Sequence, residues 1–368
     1  MTTVDLLVVG GGINGVAIAL DAAARGLRVW LVEQQTIGSG TSSKTSKLAH
    51  GGLRYLEQLQ FKVVRESLRE RDTLLDQYPQ FVKPMPFVVP VYGRYPWPAW
   101  KLGLGLTVYD FLAKKHRLPG HERLTPMYVS HRFAGLNAKG LTAGFRYFDA
   151  QMDDLGLLKF LAKRAESLGV MISEYCYFEG PVFEQGRVVG GRLSTRDGSF
   201  DFKAKMVVQA MGPWSPGVKP SKGVHLVLPA MPFSEALLLA APQDGRVFFV
   251  IPWEGKTLVG TTETAYSGLP ELVRVEPEDV AYLMQAFHHY FPTYFPGESS
   301  IFASFAGVRP LVDPGVGGLG SASRDFQLDR SVPGMLRVFG GKYTTHRVVA
   351  EQVVNEVVRQ FSKEGAWL

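Results

Sequence analysis

The chain has 368 residues, of which 46% are hydrophobic, and this length and apolar content predict a large core divided between two domains. One cysteine, Cys176, excludes a disulfide framework and a cysteine-based metal site, and no apolar run approaches the ~20 residues of a membrane-spanning helix, so we expect a cytoplasmic protein without a signal peptide. The net charge of +6 favours an anionic partner, but the basic residues are scattered, which disfavours nucleic acid.

The N-terminal segment predicts a dinucleotide-binding site. A strand over residues 4–9 runs into Gly-x-Gly-x-x-Gly at Gly10, Gly12 and Gly15, a helix follows, and a second strand ends on Glu33. The glycines permit a tight turn, the approach of backbone N–H groups to a pyrophosphate, and close packing of helix on strand. The helix N-terminus attracts the phosphates, and Glu33 would accept hydrogen bonds from the ribose hydroxyls. A carboxylate at that position disfavours the 2′-phosphate of NADP.

The rest of the chain alternates between helical and extended patterns. Helices are predicted over residues 16–25, 53–75, 154–168 and 276–290 and from Thr344 onward. Extended segments are predicted over residues 27–32, 83–98, 170–193, 204–210, 224–262 and 336–339, with a hairpin at Gly190-Gly191 and turns at residues 243–245 and 254–255. The middle of the chain is therefore rich in strands.

This order of elements predicts the α/β class, with a Rossmann-like cofactor domain interrupted by a mixed-β domain of α+β type. The first strand–helix unit and the last strand, which leads through two glycines into a helix, belong together in the cofactor domain. Residues 1–80, 145–218 and 300–368 are assigned to this discontinuous domain. Residues 81–144 and 219–299 are assigned to the inserted substrate domain.

Residues 41–57 carry the most specific motif in the chain, TSSKTSKLAHGGLRYLE. It resembles the signature of the FAD-dependent glycerol-3-phosphate dehydrogenases, within the D-amino-acid-oxidase-like flavoproteins. Shorter similarities follow in order at residues 152–154, 211–214, 222–225, 250–253, 260–263, 307–311, 323–325 and 339–345. The resemblance implies FAD, oxidation of sn-glycerol 3-phosphate to dihydroxyacetone phosphate by hydride transfer to flavin N5, and electron delivery to a membrane quinone. It also implies a short form, because similar members continue into a C-terminal helical domain.

The resemblance further implies the residues of the site. The FAD-binding positions are Gly10, Gly12, Ile13, Asn14, Gly15, Glu33, Gln34, Thr41, Ser42, Ser43, Lys47, Leu48, Gly212, Gly341, Lys342, Tyr343 and Thr344. The substrate-binding positions are Arg54, Tyr55, Thr262, Arg324 and Lys342. The catalytic positions are His225, Arg309 and His50.

The chemistry explains why these residue types are needed. Oxidation of a secondary alcohol requires a proton acceptor beside the carbon that loses hydride, and histidine is the natural candidate. We interpret His225 as this base, with His50 near the flavin and Arg309 beside the reacting hydroxyl. A histidine that only holds the flavin or the backbone stays open as an alternative. The substrate phosphate calls for charged donors, and Arg54 and Lys342, which each follow a pair of glycines, supply them.

Residues 95–117 combine tryptophan and aliphatic side chains with the basic cluster Lys114-Lys115-His116-Arg117. This composition is typical of a segment at the surface of an anionic bilayer, where a quinone would be found. It predicts peripheral contact with the inner face of the cell membrane. A helix packed on the substrate domain is the alternative.

Two other functions remain open from the sequence. An oxidase of the same fold would pass electrons to oxygen or act on an amino acid, but an amino-acid substrate needs one arginine, whereas this chain offers several cations. A flavin-binding scaffold for RNA modification would need a basic RNA-binding face and has no use for a phosphate pocket. The electron acceptor and the oligomeric state, with a homodimer as one expectation, stay open.

Overall fold

The computed structural model describes residues 3–93, 97–113, 117–294, 297–312 and 326–363. Within them, helices cover mixed β-sheets, which confirms the predicted α/β class. The helices are α1 (Ile13–Ala24), α2 (Phe61–Gln77), α3 (Ala99–Leu112), α4 (Pro126–Arg132), α5 (Asp154–Ser167), α6 (Pro277–Tyr290) and α7 (His346–Lys363).

The described strands range in length from two to twelve residues. They are β1 (Val4–Val9), β2 (Val29–Val32), β3 (Leu48–Ala49), β4 (Val82–Tyr92), β5 (Glu122–Leu124), β6 (Leu141–Met152), β7 (Met171–Ser173), β8 (Tyr177–Glu184), β9 (Arg187–Thr195), β10 (Gly198–Gln209), β11 (Val218–Pro229), β12 (Ala236–Ala240), β13 (Val247–Trp253), β14 (Lys256–Gly260), β15 (Thr264–Ala265), β16 (Ala303–Val312), β17 (Gln327–Asp329) and β18 (Met335–Phe339).

The first sheet has the order β17-β18-β10-β1-β2-β7, and the hairpin of β8 and β9 extends β10. Its central strands β10, β1 and β2 run parallel, and every residue of β1 is buried. Such continuous burial is expected of a parallel strand covered on both faces. One apolar cluster joins α1, α5 and α7 to this sheet through Ile18, Leu161 and Val353. The carboxyl ends of β1, β2 and β10 therefore meet the start of α1 at one edge.

The second sheet has the order β15-β11-β14-β13-β12-β4-β6-β3, with β16 on β11 and β5 on β6. Strand β11 is the organising element of this sheet, because it pairs with β14 in one part and with β16 over residues 218–227. Leu283 and Phe287 of α6 pack in the same buried cluster as Leu226 and Val259 of this sheet. This packing places β11 and the end of β14 in the interior.

Strand pairing differs from the predicted grouping of segments. Strand β6 pairs with β4, and β16 pairs with β11, so both lie in the second sheet. From the sequence, most of β6 and all of β16 are assigned to the cofactor domain. The pattern within one segment does not reveal which strand it pairs with, so the difference could not be predicted. The division of the chain into two domains remains a prediction.

Two local predictions need correction. The hairpin predicted at Gly190-Gly191 is wrong, because both glycines lie inside β9 and the turn falls at Gln185-Gly186. A Cβ at Gly190 would overlap the carbonyl oxygen of Phe202 on β10, so close strand approach requires glycine there. The helix predicted over residues 53–75 is divided into a 3₁₀ turn, Leu53–Leu56, and α2.

Within the described part of the chain, no helix combines the length and apolarity needed to span a bilayer. The segment 95–117, predicted to contact the membrane, contains helix α3. Its residues 95, 96 and 114–116 lie outside the described residues. Its Leu102, Leu106 and Tyr109 are buried, whereas Trp100 and Phe111 are 71% and 80% exposed. Helix α3 thus has a packed apolar face and a solvent-exposed face that carries Trp100, Leu104 and Phe111 beside Lys101 and Thr107.

Candidate active site

The turn between β1 and α1 forms a cradle of backbone groups. Gly10 has φ +110°, and a Cβ on it would lie 2.6 Å from the Ala210 carbonyl oxygen. A Cβ on Gly15 would overlap the Gly10 carbonyl, so helix and turn approach as closely as backbone allows. The N–H of Ile13, at the start of α1, donates to Ser42 Oγ at 2.9 Å. This bond fixes the polar loop against the helix N-terminus.

A cavity of about 380 Å³ opens beside this cradle. Among the predicted cofactor residues, its lining includes Gly10, Gly12, Glu33, Gln34, Thr41, Ser42 and Gly212. The Glu33 carboxylate follows β2 and accepts hydrogen bonds from the N–H of Gly11 at 2.6 Å and of Gln35 at 2.9 Å. It is therefore held at the cavity wall, where a dinucleotide ribose is expected.

The C-terminal strand and helix complete the cradle. Gly340 and Gly341 both have positive φ and connect β18 to the 3₁₀ turn Tyr343–Thr345, which leads into α7. Asn14 Nδ2 donates to the Gly340 carbonyl at 3.3 Å. Asn14 Oδ1 is buried and has no hydrogen-bond partner among the described residues. An unsatisfied buried amide oxygen between two glycine turns fits a bound polar cofactor such as FAD.

The polar loop is anchored to the start of α5. Lys47 Nζ donates to Asp154 Oδ1 at 2.7 Å and to the Ser43 carbonyl at 2.9 Å, and Thr45 donates to the other Asp154 oxygen at 2.7 Å. Lys47 and Asp154 are both buried, so each neutralises the other's charge. The phenolic hydroxyl of Tyr343 donates to the Asp154 carbonyl. The predicted flavin contacts of Lys47, Ser43, Tyr343 and Thr344 stay predictions.

A second cavity, of about 360 Å³, lies between the motif residues 48–57 and the second sheet. The predicted site residues in its lining are Leu48, His50, Arg54, Tyr55 and Arg309. Asp149, Thr261 and Glu263 add further polar groups, while the remaining wall is largely apolar, with Leu102, Leu104, Leu238 and Phe249 among its members. The structure thus brings together residues that are more than 250 positions apart in the chain, as Arg54 and Arg309 show.

Lys342 and Tyr55 meet beside this cavity. The Lys342 ammonium lies 3.9 Å from the centre of the Tyr55 ring and 3.4 Å from Ser67 Oγ. The Tyr55 hydroxyl is buried and lacks a hydrogen-bond partner within the part of the chain that the structure describes. A hydroxyl donor next to an ammonium is suited to a phosphate oxygen. Arg324, also predicted to bind the substrate, lies outside the described residues.

Arg309 projects from β16 across β11. Its Nη2 donates to Thr261 Oγ1 at 2.7 Å and its Nη1 to the Thr262 carbonyl at 3.3 Å. A Cβ on Gly223 would overlap the guanidinium, so glycine makes the space for it. Thr262 is buried, and its Oγ1 accepts a hydrogen bond from the Val224 N–H at 3.0 Å, while Thr261 lines the cavity. The predicted substrate contact of Thr262 stays a prediction.

His225 lies on β11 and is only 2% exposed. Its Nε2 shares a hydrogen bond of 2.9 Å with Ser46 Oγ, and its ring stacks on Phe305 at 4.9 Å. Burial, followed by the nearby charges of Arg309 and Lys47, lowers the pKa of His225 to about 3. The imidazole is therefore neutral near pH 7, as a proton acceptor must be. His225 lines neither of the two cavities, whereas His50 lines the second one.

Sequence reasoning missed Asp149, which holds the loop beneath the second cavity. Its carboxylate accepts hydrogen bonds from the Gly51 N–H at 3.1 Å, the Tyr109 hydroxyl at 2.8 Å and Arg71 at 2.9 Å. Burial raises the pKa of Asp149, and Arg71 opposes that shift. The sequence signal that could have identified Asp149 is that it is the one acidic residue among the largely apolar and aromatic residues of β6.

Comparisons with known proteins agree with this geometry. The family model described as FAD dependent oxidoreductase matches residues 5–353. The chain is 37% identical to the D-erythritol 1-phosphate dehydrogenase of Brucella abortus, over 99% of this chain and 75% of the relative. It is 38% identical to the glycerol-3-phosphate dehydrogenase of Pseudomonas aeruginosa, over 99% of this chain and 73% of the relative.

The solved structure of the glycerol-3-phosphate dehydrogenase from Bacillus halodurans, complexed with FAD, superposes with a TM-score of 0.79 at 30% identity. The match covers 98% of this chain and 65% of that one, so the present chain spans about two thirds to three quarters of the length of such relatives. The chain therefore belongs to the FAD-dependent oxidoreductase family, within the group that contains the glycerol-3-phosphate dehydrogenases, and its cofactor is FAD.

Proposed function

We propose that the protein oxidises sn-glycerol 3-phosphate to dihydroxyacetone phosphate and passes the electrons to a membrane quinone. The observation that carries this proposal is the second cavity, where His50, Arg54, Tyr55 and Arg309 converge. Bound FAD supplies the acceptor for the hydride that leaves the substrate carbon. The chain's own residues have to bind the phosphate, orient the alcohol and take up its proton.

The phosphate would bind near Tyr55, which follows Arg54 in the chain and has Lys342 over its ring. The Lys342 ammonium lies over the Tyr55 ring, and the Tyr55 hydroxyl needs a partner. Arg54 and Tyr55 line the second cavity, and two cations with one hydroxyl donor match a phosphate, which carries up to two charges and several acceptor oxygens. An amino acid, with a single carboxylate, would leave part of this charge unpaired.

The alcohol would face Arg309 and a histidine. A guanidinium beside the hydroxyl stabilises the negative charge that develops on oxygen as its proton leaves. His225 is neutral near pH 7 and its Nε2 shares a hydrogen bond with Ser46, and we assign it the role of proton acceptor. His50 already lines the cavity and is the alternative base.

The quinone acceptor is supported by the surface around the mouth of the cavity. Leu59, Trp100, Leu104 and Phe111 form an exposed apolar surface, here called the α3 surface. Leu59 and Leu104 also line the second cavity, so the cavity opens onto this surface. A patch of exposed aromatic and aliphatic side chains is suited to the interface of a bilayer, where a quinone resides. We therefore include peripheral membrane association in the proposal.

An anaerobic titration tests the substrate and the acceptor separately. Glycerol 3-phosphate should bleach the flavin absorbance of the purified protein, and glycerol at the same concentration should not. Reoxidation by a soluble quinone should then be faster than reoxidation by air. Bleaching by amino acids but not by glycerol 3-phosphate would contradict the substrate, and faster reoxidation by oxygen would replace the dehydrogenase with an oxidase.

A longer phosphorylated polyol is the second candidate substrate. The relative from Brucella abortus is a D-erythritol 1-phosphate dehydrogenase. The second cavity, at about 360 Å³, falls in the range of pockets that hold small-molecule ligands. The same titration with D-erythritol 1-phosphate measures this activity directly.

A further inference from the structure

We propose that Glu263 determines how long a polyol chain the site accepts, by taking hydrogen bonds from the hydroxyl groups of phosphorylated polyols with four or more carbons. This inference rests on the proposed function, because it assumes a polyol phosphate in the second cavity. Glu263 follows the end of β14, and its carboxylate lines that cavity. Its side chain is 12% exposed, so it belongs to the wall and not to the outer surface.

The position of the carboxylate is unexpected for a site that binds only a small phosphate. Glu263 Oε2 lies 3.7 Å from Nη1 of Arg54, one of the predicted phosphate-binding groups. A fixed negative charge so close to a bound phosphate weakens its binding by repulsion, in a partly buried site where charges are poorly screened. In a pocket for glycerol 3-phosphate alone, this repulsion would be offset only by the ion pair with Arg54 or by a contact to a substrate hydroxyl.

The chemistry of the carboxylate identifies what it would bind. An ionised glutamate only accepts hydrogen bonds, and each polyol hydroxyl offers one donor. Hydrogen bonds to a charged acceptor are stronger than neutral ones, so one such contact can offset the repulsion from the phosphate. The three arginines of the same lining, Arg54, Arg246 and Arg309, are donors only. Glu263 therefore places an acceptor among these donors, and a row of hydroxyl groups requires both.

Polar groups continue along the cavity lining from Arg54 to Glu263 and Arg246. The guanidinium of Arg246 donates to the backbone carbonyl of Glu263, and Arg246 lines the same cavity with a side chain that is half exposed. A polar path thus runs from Arg54 past Glu263 to Arg246 at the rim. Additional carbons of a polyol, each carrying a hydroxyl, would lie along this path.

The test compares Glu263→Gln with wild type on glycerol 3-phosphate and on a four-carbon polyol 1-phosphate. Glutamine keeps the shape but removes the charge, so kcat/KM on the four-carbon substrate should fall about ten- to hundredfold, while the value for glycerol 3-phosphate should stay constant or rise. Dissociation constants measured on dithionite-reduced enzyme, which cannot oxidise the substrate, should change in parallel. Glu263→Asp keeps the charge and is measured if the glutamine variant does not fold. Its kcat/KM on the four-carbon substrate should fall by a smaller factor than the one expected for glutamine.

Glu57→Gln is the matched control, because Glu57 lines the same cavity from its exposed side and bonds to Trp97. Glu57→Gln should not change the ratio of the kcat/KM values for the two substrates. Equal losses of Glu263→Gln on both substrates would overturn the inference and assign Glu263 to holding Arg54. Equal gains would show that the carboxylate only repels phosphate. Wild-type enzyme that oxidises glycerol 3-phosphate but not the longer polyol would overturn the inference alone, whereas failure on both substrates would reject the proposed function.

Discussion

The ammonium group of Lys342 lies over the ring of Tyr55, 3.9 Å from its centre, although the two residues come from opposite ends of the chain. Lys342 follows the glycine pair before α7, and Tyr55 belongs to the 3₁₀ turn before α2. The contact therefore joins the cofactor cradle to the second cavity. A cation held by an aromatic ring loses part of its hydration, which leaves it ready to bind an anion.

We predict that Lys342→Met selectively lowers kcat/KM for the substrate that carries a phosphate. Loss of one charge-assisted contact, about 1.5–3 kcal/mol, should lower kcat/KM on glycerol 3-phosphate by one to two orders of magnitude. The slow oxidation of glycerol should change little, because glycerol carries no charge to lose. Lys203→Met, at an exposed ion pair with Glu184, is the control. Equal losses on both alcohols would assign Lys342 to the flavin or to folding.

We predict that removal of the catalytic base slows flavin reduction by about 10²–10⁴-fold. His225→Asn and His50→Asn should be compared by anaerobic stopped-flow with glycerol 3-phosphate. If His225 is the base, its variant shows the large decrease with little change in substrate affinity. A large decrease confined to His50→Asn would transfer the role to the histidine that lines the cavity.

We predict that Glu33→Ala weakens FAD binding by the loss of one or two hydrogen bonds to a charged group, about 1.5–3 kcal/mol each. The dissociation constant can be measured by adding FAD to flavin-depleted protein and following its fluorescence. Glu166→Ala, at an exposed position of α5, is the control. Unchanged affinity would remove Glu33 from the cofactor site.

We predict that acid destabilises the protein through two buried histidines. Burial is the main cause that lowers the pKa of His225 to about 3 and the pKa of His346 to about 4. The unfolded state takes up these protons below about pH 6.5 and the folded state does not, so stability is retained above pH 6.5 and falls as the pH decreases toward the folded values. Each histidine should lower the free energy of unfolding by about 2 kcal/mol between pH 7 and pH 5.

The measurement is the melting temperature of wild type, His225→Gln and His346→Gln as a function of pH. Each variant should show a weaker dependence on pH between 7 and 5 than wild type. Parallel curves for all three proteins would mean that other groups dominate the acid response.

We predict that the α3 surface binds anionic lipid vesicles. Burial of one large apolar side chain in the interface is worth about 1.5–3 kcal/mol, so the triple change of Trp100, Leu104 and Phe111 to serine should lower vesicle binding at least tenfold. Met127→Ser, which removes an 80% exposed side chain elsewhere, is the control. Sedimentation with vesicles at low and high salt measures the effect. Binding that survives the triple change would place the contact on another surface.

The cofactor cradle could be predicted from the sequence because its determinants are local. Gly10, Gly12 and Gly15 act on the turn that contains them, and Glu33 follows the very next strand. The same holds for most helices, such as α5 and α6, whose N-terminal caps Asp153 and Glu276 are visible in the sequence.

The second cavity could be predicted only through the family motif. Whether Thr261 or Thr262 faces the cavity depends on the local backbone at the end of β14, and a shift of one residue reverses the answer. The burial of Asp149 depends on Arg71 and Tyr109, which come from two different helices. Such contacts follow from tertiary packing, which no pattern within one segment reveals.

The parallel pairing in the first sheet has a consequence for biosynthesis. Val4 of β1 is opposite Ala204 of β10, and Val207 of β10 is opposite Met335 of β18. The sheet that carries the cofactor cradle therefore needs segments from the beginning, the middle and the last tenth of the chain. Contacts between such distant segments form slowly and cannot form before the last of them has left the ribosome. Flavin capture thus follows the synthesis of all three segments, and until then the nascent chain exposes the apolar strand β1.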